Sequence, residues 1–226
     1  PTTHSQTSRT LSPDFLVYCE RLQPGMWAEP ANLFSNVGFL LAGGWALNRC
    51  RRLAPGVQHW DLWTLALLIL VIGAGSALWH SFHTPWAKTL DIVPILLFIH
   101  LYLYTFLHRQ LGLHVAAAIM ATLLYFVASK AFTGLVNPHL LHGSIFYLPA
   151  LVALAALAVW SYAKRMPSRR MMLVAMLLFV VSLVFRTIDG DVCAYLPMGT
   201  HFLWHLLNAC LLAVLVAVAP GRVNRD

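Results

Sequence analysis

Five polar side chains interrupt otherwise apolar stretches of this chain: Ser76, His80, Asp91, His201 and His205. A charge-bearing group at membrane depth is costly, so such residues mark function by default. Ser76 and His80 are four apart, as are His201 and His205, so on a helix each pair shares one face about one turn apart. Three imidazoles converging from two helices make a ligand set for a metal ion. Zinc at catalytic sites commonly takes three protein ligands and leaves the fourth position to water, whose pKa falls to about 7. With His80, His201 and His205 as neutral nitrogen ligands, Asp91 is the carboxylate expected to take that water's proton and return it to a leaving amine. Ser76 is expected to donate a hydrogen bond to the oxygen of an attacked carbonyl. Any one of these histidines alone reads more readily as an interface residue or an interhelical hydrogen-bonder. Together the five point to metal-assisted hydrolysis of an amide or ester.

The elements that must position them are membrane helices. Of 226 residues, 59% are hydrophobic and 10% charged, against about half and about a quarter in soluble domains. Apolar windows predict spans at 32–50, 61–82, 88–108, 114–132, 143–163, 169–188 and 197–219, each about the length that crosses a bilayer. The expected fold is therefore all-α: a seven-transmembrane helix bundle forming a single domain over residues 1–226, with 1–13 a flexible polar tail. The first span is expected to act as its own insertion signal, and a chain opening on Pro1 is expected to have been trimmed.

Ten Lys and Arg residues (Arg49, Arg51, Arg52, Arg109, Lys164, Arg165, Arg169, Arg170, Arg222, Arg225) fall on one side, and five (Arg9, Arg21, Lys88, Lys130, Arg186) on the other. The positive-inside rule then puts the amino terminus outside and the carboxyl terminus in the cytoplasm. The net charge of +7 is mostly this topology signal. Its dispersal among loops, with no aromatic-basic stripe, argues against a nucleic-acid partner. In this orientation Ser76, His80, Asp91, His201 and His205 all lie in the same outer half.

Other polar residues read as support or as interface. Asn32, Asn36 and Gly43 share a face expected to point into the bundle. Asp189 either pairs with Arg186, three residues away, or receives the free N–H of a liganding histidine. Asn36 joins it as a candidate supporting residue. Tyr18 and Trp27 are expected as interfacial anchors, and Ser129, Lys130, His139 and His142 as solvated interface groups. His100, nine residues beyond Asp91, is expected on the opposite helix face about 13 Å deeper and is read as structural. His59, His108 and His114 belong to the cytoplasmic side. Pro94 is expected in a first helical turn, and Pro149 to kink its helix. Cys19 and Cys193 both fall outside, where oxidising conditions permit a bridge, whereas Cys50 is at the cytoplasmic edge and Cys210 within the last span.

The chain resembles the alkaline ceramidase family, part of a seven-helix membrane hydrolase superfamily that also includes progestin and adipoQ receptors. The likeness is carried by Glu29-Pro30-Ala31-Asn32-Leu33-Phe34-Ser35-Asn36, by Gly75-Ser76-Ala77-Leu78-Trp79-His80 with Asp91 eleven further on, and by His201-Phe202-Leu203-Trp204-His205-Leu206-Leu207. It spans most of the chain. The resemblance implies one zinc on His80, His201 and His205, Asp91 and Ser76 at the reacting centre, and a Cys19–Cys193 disulfide. It implies cleavage of ceramide, or a related N-acyl lipid, to an amine base and a fatty acid. Animal members hold calcium near the amino terminus through Asp-Trp-Cys-Glu, an Asn and a later Glu. Here Val17-Tyr18-Cys19-Glu20 and Leu22 stand in that segment, with a shorter run to Glu29. Two oxygen ligands are missing, a poor match for an ion wanting six to eight. The short chain is similar to bacterial relatives, implying an inner membrane with the site toward the non-cytoplasmic side. Alternatives are an ester-lipid hydrolase on the same residues, a non-catalytic receptor stapled by zinc, and an ion or proton transporter. The apolar inner halves of the helices count against transport.

Overall fold

The computed structural model describes residues 18–53 and 59–221. The tail at 1–13, with Arg9, and also Val17, Arg222 and Arg225 lie outside the described residues. The described chain is helical without strands: α1 (Pro30–Ser35), α2 (Val37–Arg51), α3 (Trp60–Phe82), α4 (Pro85–Thr105), α5 (Val115–Leu135), α6 (Leu148–Ala163), α7 (Arg169–Ile188) and α8 (His201–Val218). Among the described residues, six stretches are long and apolar enough to cross a membrane: Trp60–Phe82, Pro85–Gln110, Val115–Leu135, Leu140–Ala163, Arg169–Asp191 and His201–Val218.

The first expected span, 32–50, forms as two helices. Pro30 opens α1, where its missing N–H costs nothing. The break falls at Asn36, whose amide donates to the carbonyls of Asn32 (2.8 Å) and Leu33 (3.3 Å) and so competes with the backbone ladder. Asn32, Asn36 and Gly43 do face inward, all buried.

Two prolines sit differently from expectation. Pro149 lies in the first turn of α6, after an irregular segment broken at Leu141, His142 and Gly143, so it starts a helix instead of kinking one. Pro94 lies inside α4, which begins at Pro85 and not near 88. Lacking an N–H, it leaves the Leu90 carbonyl without its i→i−4 donor. That carbonyl faces Gly75 of α3, where an added Cβ would stand 2.1 Å from Leu90 O and 3.2 Å from Asp91 N. The two backbones approach so closely only because residue 75 is glycine, and this sets Asp91 beside Ser76.

The most buried helices are α3 and α8. On α3 the inward stripe runs through Leu62, Leu65, Ile69, Ile72, Ser76 and His80, with helical spacing throughout. On α8 it runs through His201, Trp204, His205, Asn208, Leu211 and Leu215. By contrast, α5 buries only Ala118 and presents Met120, Leu124 and Val127 outward, as a lipid-facing helix does. Small residues seat α2 on α3, with Gly43 under Leu70 and Gly73 under Phe39. At the end away from His80, Arg109 forks onto Asp61 with two contacts of 2.6 Å.

A Cys19–Cys193 disulfide ties the segment before α1 to the loop before α8, leaving Cys50 and Cys210 free. Thiol titration under denaturing, non-reducing conditions is expected to return two thiols per chain; four would rule the bridge out. Gly75→Ala is expected to destabilise the protein by about 1–3 kcal/mol through overpacking, measured by thermal unfolding in detergent. Gly44→Ala, where the added methyl meets nothing within 4 Å, is expected to be neutral or mildly stabilising.

Candidate metal centre

His80 occupies the last turn of α3, and His201 and His205 the first two turns of α8. The three imidazoles converge: one ligand atom from each lies within 4.8 Å of the others, and all three residues are buried. Ring centroids are 4.8 Å apart for His80 and His205, and 4.7 Å for His201 and His205.

Their hydrogen bonds decide which nitrogens face the centre. The Nδ1–H of His80 donates to Glu29, a residue with no exposed surface. Glu29 also receives the Nε–H of Arg21 and, at 3.2 Å, the amide of Asn32. Arg21 in turn donates from Nη2 to the His80 carbonyl, 2.8 Å away. Burial opposes the charge on Glu29, but the hydrogen bonds from His80 and Arg21 and the charge of the Arg21 guanidinium outweigh it and hold the carboxyl below its ordinary value. On the other ligand, His205 Nδ1 stands 2.7 Å from Ser35 Oγ. Ser35 spends its single hydroxyl proton on the Asn32 carbonyl at 2.8 Å, so it must accept from His205 Nδ1–H. Both rings therefore carry their proton on Nδ1.

The consequence is that the two Nε2 atoms, 3.2 Å apart, present lone pair to lone pair. Neutral imidazoles in these tautomers cannot hydrogen-bond to each other, and a cation between them relieves the conflict. Two nitrogens bound at 2.0–2.1 Å to a tetrahedral ion stand about 3.3 Å apart, close to the observed spacing. His201 Nδ1 is buried with no hydrogen-bond partner among the described residues. The buried His80, His201 and His205 group can bind a metal ion.

The site's walls come from several elements. The Tyr18 ring lies 4.2 Å from that of His201 and 5.0 Å from that of His80. Its hydroxyl accepts from Trp79 Nε1 at 3.3 Å, and burial pushes the phenol above its ordinary pKa. Ser76 Oγ is 3.4 Å from His205 Nε2. Ser76, Asp91, His201 and His205 line one cavity of about 1040 Å³. Asp91 lies beside Ser76 and within the electrostatic reach of His80 and Arg186. An apolar pocket of about 100 Å³ shares the walls Phe39, Ile72, Ile95 and Trp204 and extends past Phe98, Leu154 and Leu215.

No protein-family model and no curated protein matches this sequence.

Sequence and geometry part company on the supporting residues. Asp189 does not meet a histidine ring. Its Oδ1 accepts the backbone N–H groups of Thr200 (2.6 Å) and His201 (2.9 Å), and its Oδ2 that of Cys19 (3.2 Å). It thus caps α8 and fastens it to the amino-terminal segment. Gly199, at φ +66°, leaves room for this carboxylate; a Cβ there would lie 2.2 Å from Oδ1. Asn36 touches no ligand either, since its amide donates to Asn32 and Leu33. The partners of the histidines are Glu29 and Ser35. Glu29 stands directly before the helix-opening Pro30, a place that reads as loop, and Ser35 sits on an apolar helix where a serine draws no notice. Tyr18, expected as an anchor, packs on the ligands, and Arg21, counted among loop charges, is buried. His100, expected to turn away, also lines the large cavity.

Glu29→Gln and Ser35→Ala are each expected to weaken metal affinity by about 10–100-fold, read by competition with a calibrated chelator. Unchanged affinity in both variants would contradict the tautomer assignment.

Proposed function

We propose that this protein is a zinc-dependent intramembrane amidase that hydrolyses the amide bond of ceramide or a related N-acyl lipid to an amine base and a fatty acid. The observation that carries the reading is the pair of facing Nε2 atoms of His80 and His205 at 3.2 Å, with His205 lining a cavity that His201, Asp91 and Ser76 also line. An all-imidazole donor set of tetrahedral spacing suits zinc. Seven crossings follow if α1 and α2, end to end over residues 30–51, act as one; they cover about 33 Å. Arg49, Arg51, Arg52, Arg109, Lys164, Arg165, Arg169 and Arg170 lie at the helix ends away from His80, a distribution that supports a site toward the non-cytoplasmic leaflet under the positive-inside rule. The likeness of the Ser76-to-His80, Asp91 and His201-to-His205 residues to alkaline ceramidases adds to this reading.

Bound zinc would supply a Lewis acid and an acidified water. Asp91, beside Ser76 in the same cavity, would take a proton from the attacking water and return it to the departing nitrogen. Ser76 would donate to the carbonyl oxygen as charge develops there. The Tyr18 and Trp79 rings close the amino-terminal side against bulk water. The apolar pocket beneath, walled by Phe98, Leu154 and Leu215, suits an acyl chain and offers no polar path for an ion.

The purified protein with about one zinc is expected to release fatty acid from N-acyl sphingoid lipids. Asp91→Ala is expected to keep its zinc and lose at least about 100-fold in kcat, and Ser76→Ala to lose about 100-fold, equivalent to ~3 kcal/mol of barrier. Zinc content by mass spectrometry of the metal and fatty-acid release together check this; full turnover by Asp91→Ala would refute the base.

A further inference from the structure

The mouth of the large cavity carries more positive charge than a neutral ceramide can use. Its lining includes Lys88 on α4, Lys130 on α5 and Arg186 on α7, with His139 and His142 from the connection between α5 and α6. Asp91 is the one carboxylate in that lining. Two other arginines at buried or half-buried positions have acidic partners, Arg21 with Glu29 and Arg109 with Asp61. Among the described residues, Lys88, Lys130 and Arg186 form no salt bridge. Asp191 faces His142 at 3.8 Å and stands outside the cavity lining.

Arg186 is also held in place. It donates from Nη1 to Ser144 Oγ (2.9 Å) and the His142 carbonyl (3.2 Å), and its guanidinium lies over Tyr147 (5.3 Å) and Trp204 (5.8 Å). It lines the same cavity as Asp91, His201 and His205, and Trp204 beneath its guanidinium lies between those two histidines on α8. Lys88 lies over Trp79 at 6.0 Å on the same rim. The end of the bundle expected to be poor in cations thus gathers three of them, from three helices, around a single opening. An immobilised guanidinium that forms no salt bridge is a receptor for a carboxylate or phosphate.

We infer that the physiological substrate is an N-acyl lipid whose amine part carries an anionic group, which Arg186 binds while Lys88 and Lys130 draw it to the mouth. This rests on the amidase reading above and narrows its substrate from neutral ceramides to anionic N-acyl amines. Specificity then lies in the head group, and the apolar pocket below accepts acyl chains with little selection.

The test pairs turnover with binding, using N-oleoyl glycine, phosphorylated N-oleoyl ethanolamine, neutral N-oleoyl ethanolamine and free oleate. For the zinc-loaded wild type, kcat/KM for at least one anionic amide is expected to exceed that for the neutral amide by about tenfold or more; whichever anion leads identifies carboxylate or phosphate. The same anionic amide is expected to raise the unfolding temperature more than the neutral one. In Arg186→Gln both differences are expected to fall to within about twofold, and in Lys88→Gln/Lys130→Gln, whose side chains are exposed, to fall part-way. Equal rates and equal stabilisation by anionic and neutral amides would overturn the inference. So would oleate stabilising as strongly as the anionic amides, because the cations would then read the acyl carboxylate. If no amide is cleaved, the amidase reading fails by itself, and the unfolding-temperature comparison still decides whether the mouth selects an anion.

Discussion

Two imidazole nitrogens face each other across 3.2 Å in a buried part of the bundle, and the rest of the site follows from how they are made to do so. Left alone, paired lone pairs in a low-dielectric interior repel, and the rings would rotate or take up a proton. They are prevented by what lies behind them. Glu29 holds the proton of His80 on Nδ1 and is itself held by Arg21 and Asn32. Ser35 does the same for His205, because its own proton is committed to Asn32. Asn32 thus supports both ligands, and the short helix α1, which carries Asn32 and Ser35, is the common backing of the centre.

That arrangement needs α1, α3 and α8 in fixed register. Glu20 anchors α1 by accepting the N–H groups of Ala31 (2.6 Å) and Asn32 (2.9 Å). The Cys19–Cys193 bridge and the Asp189 carboxylate bind the same amino-terminal segment to the start of α8. Gly73 and Gly75 let α3 meet its neighbours at backbone distance, Gly75 by admitting the Leu90 carbonyl that Pro94 releases. The features that look like weaknesses in a membrane helix, a proline in mid-span and glycines in a row, are what bring Asp91 beside Ser76.

The convergence of His80, His201 and His205 is legible in the sequence, and Ser76 and Asp91 stand out beside them, because polar residues at four-residue spacing contrast with an apolar background. The helix boundaries were legible for the same reason, to within a few residues, except where a local hydrogen bond from Asn36 divided the first span. The partners of the ligands were not. Glu29, Arg21 and Tyr18 belong to a loop, where acidic, basic and aromatic residues are ordinary, and nothing in their spacing announces burial. Asp189 stands out in the sequence but caps α8 instead of backing an imidazole, since sequence distance cannot distinguish a carboxylate under a helix terminus from one behind a histidine ring. Pro94 lies in the helix interior and not in a first turn, because Pro85 already opens α4 nine residues earlier.

Zinc K-edge X-ray absorption on the purified, zinc-loaded protein reads out whether His80, His201 and His205 close on one tetrahedral divalent ion through ring nitrogens. The expected spectrum has about four nitrogen or oxygen neighbours at about 2.0–2.1 Å, with outer-shell scattering that fits three imidazoles and is diminished in His205→Ala. Six oxygen neighbours, or a spectrum unchanged by that substitution, would rule out the three-histidine centre.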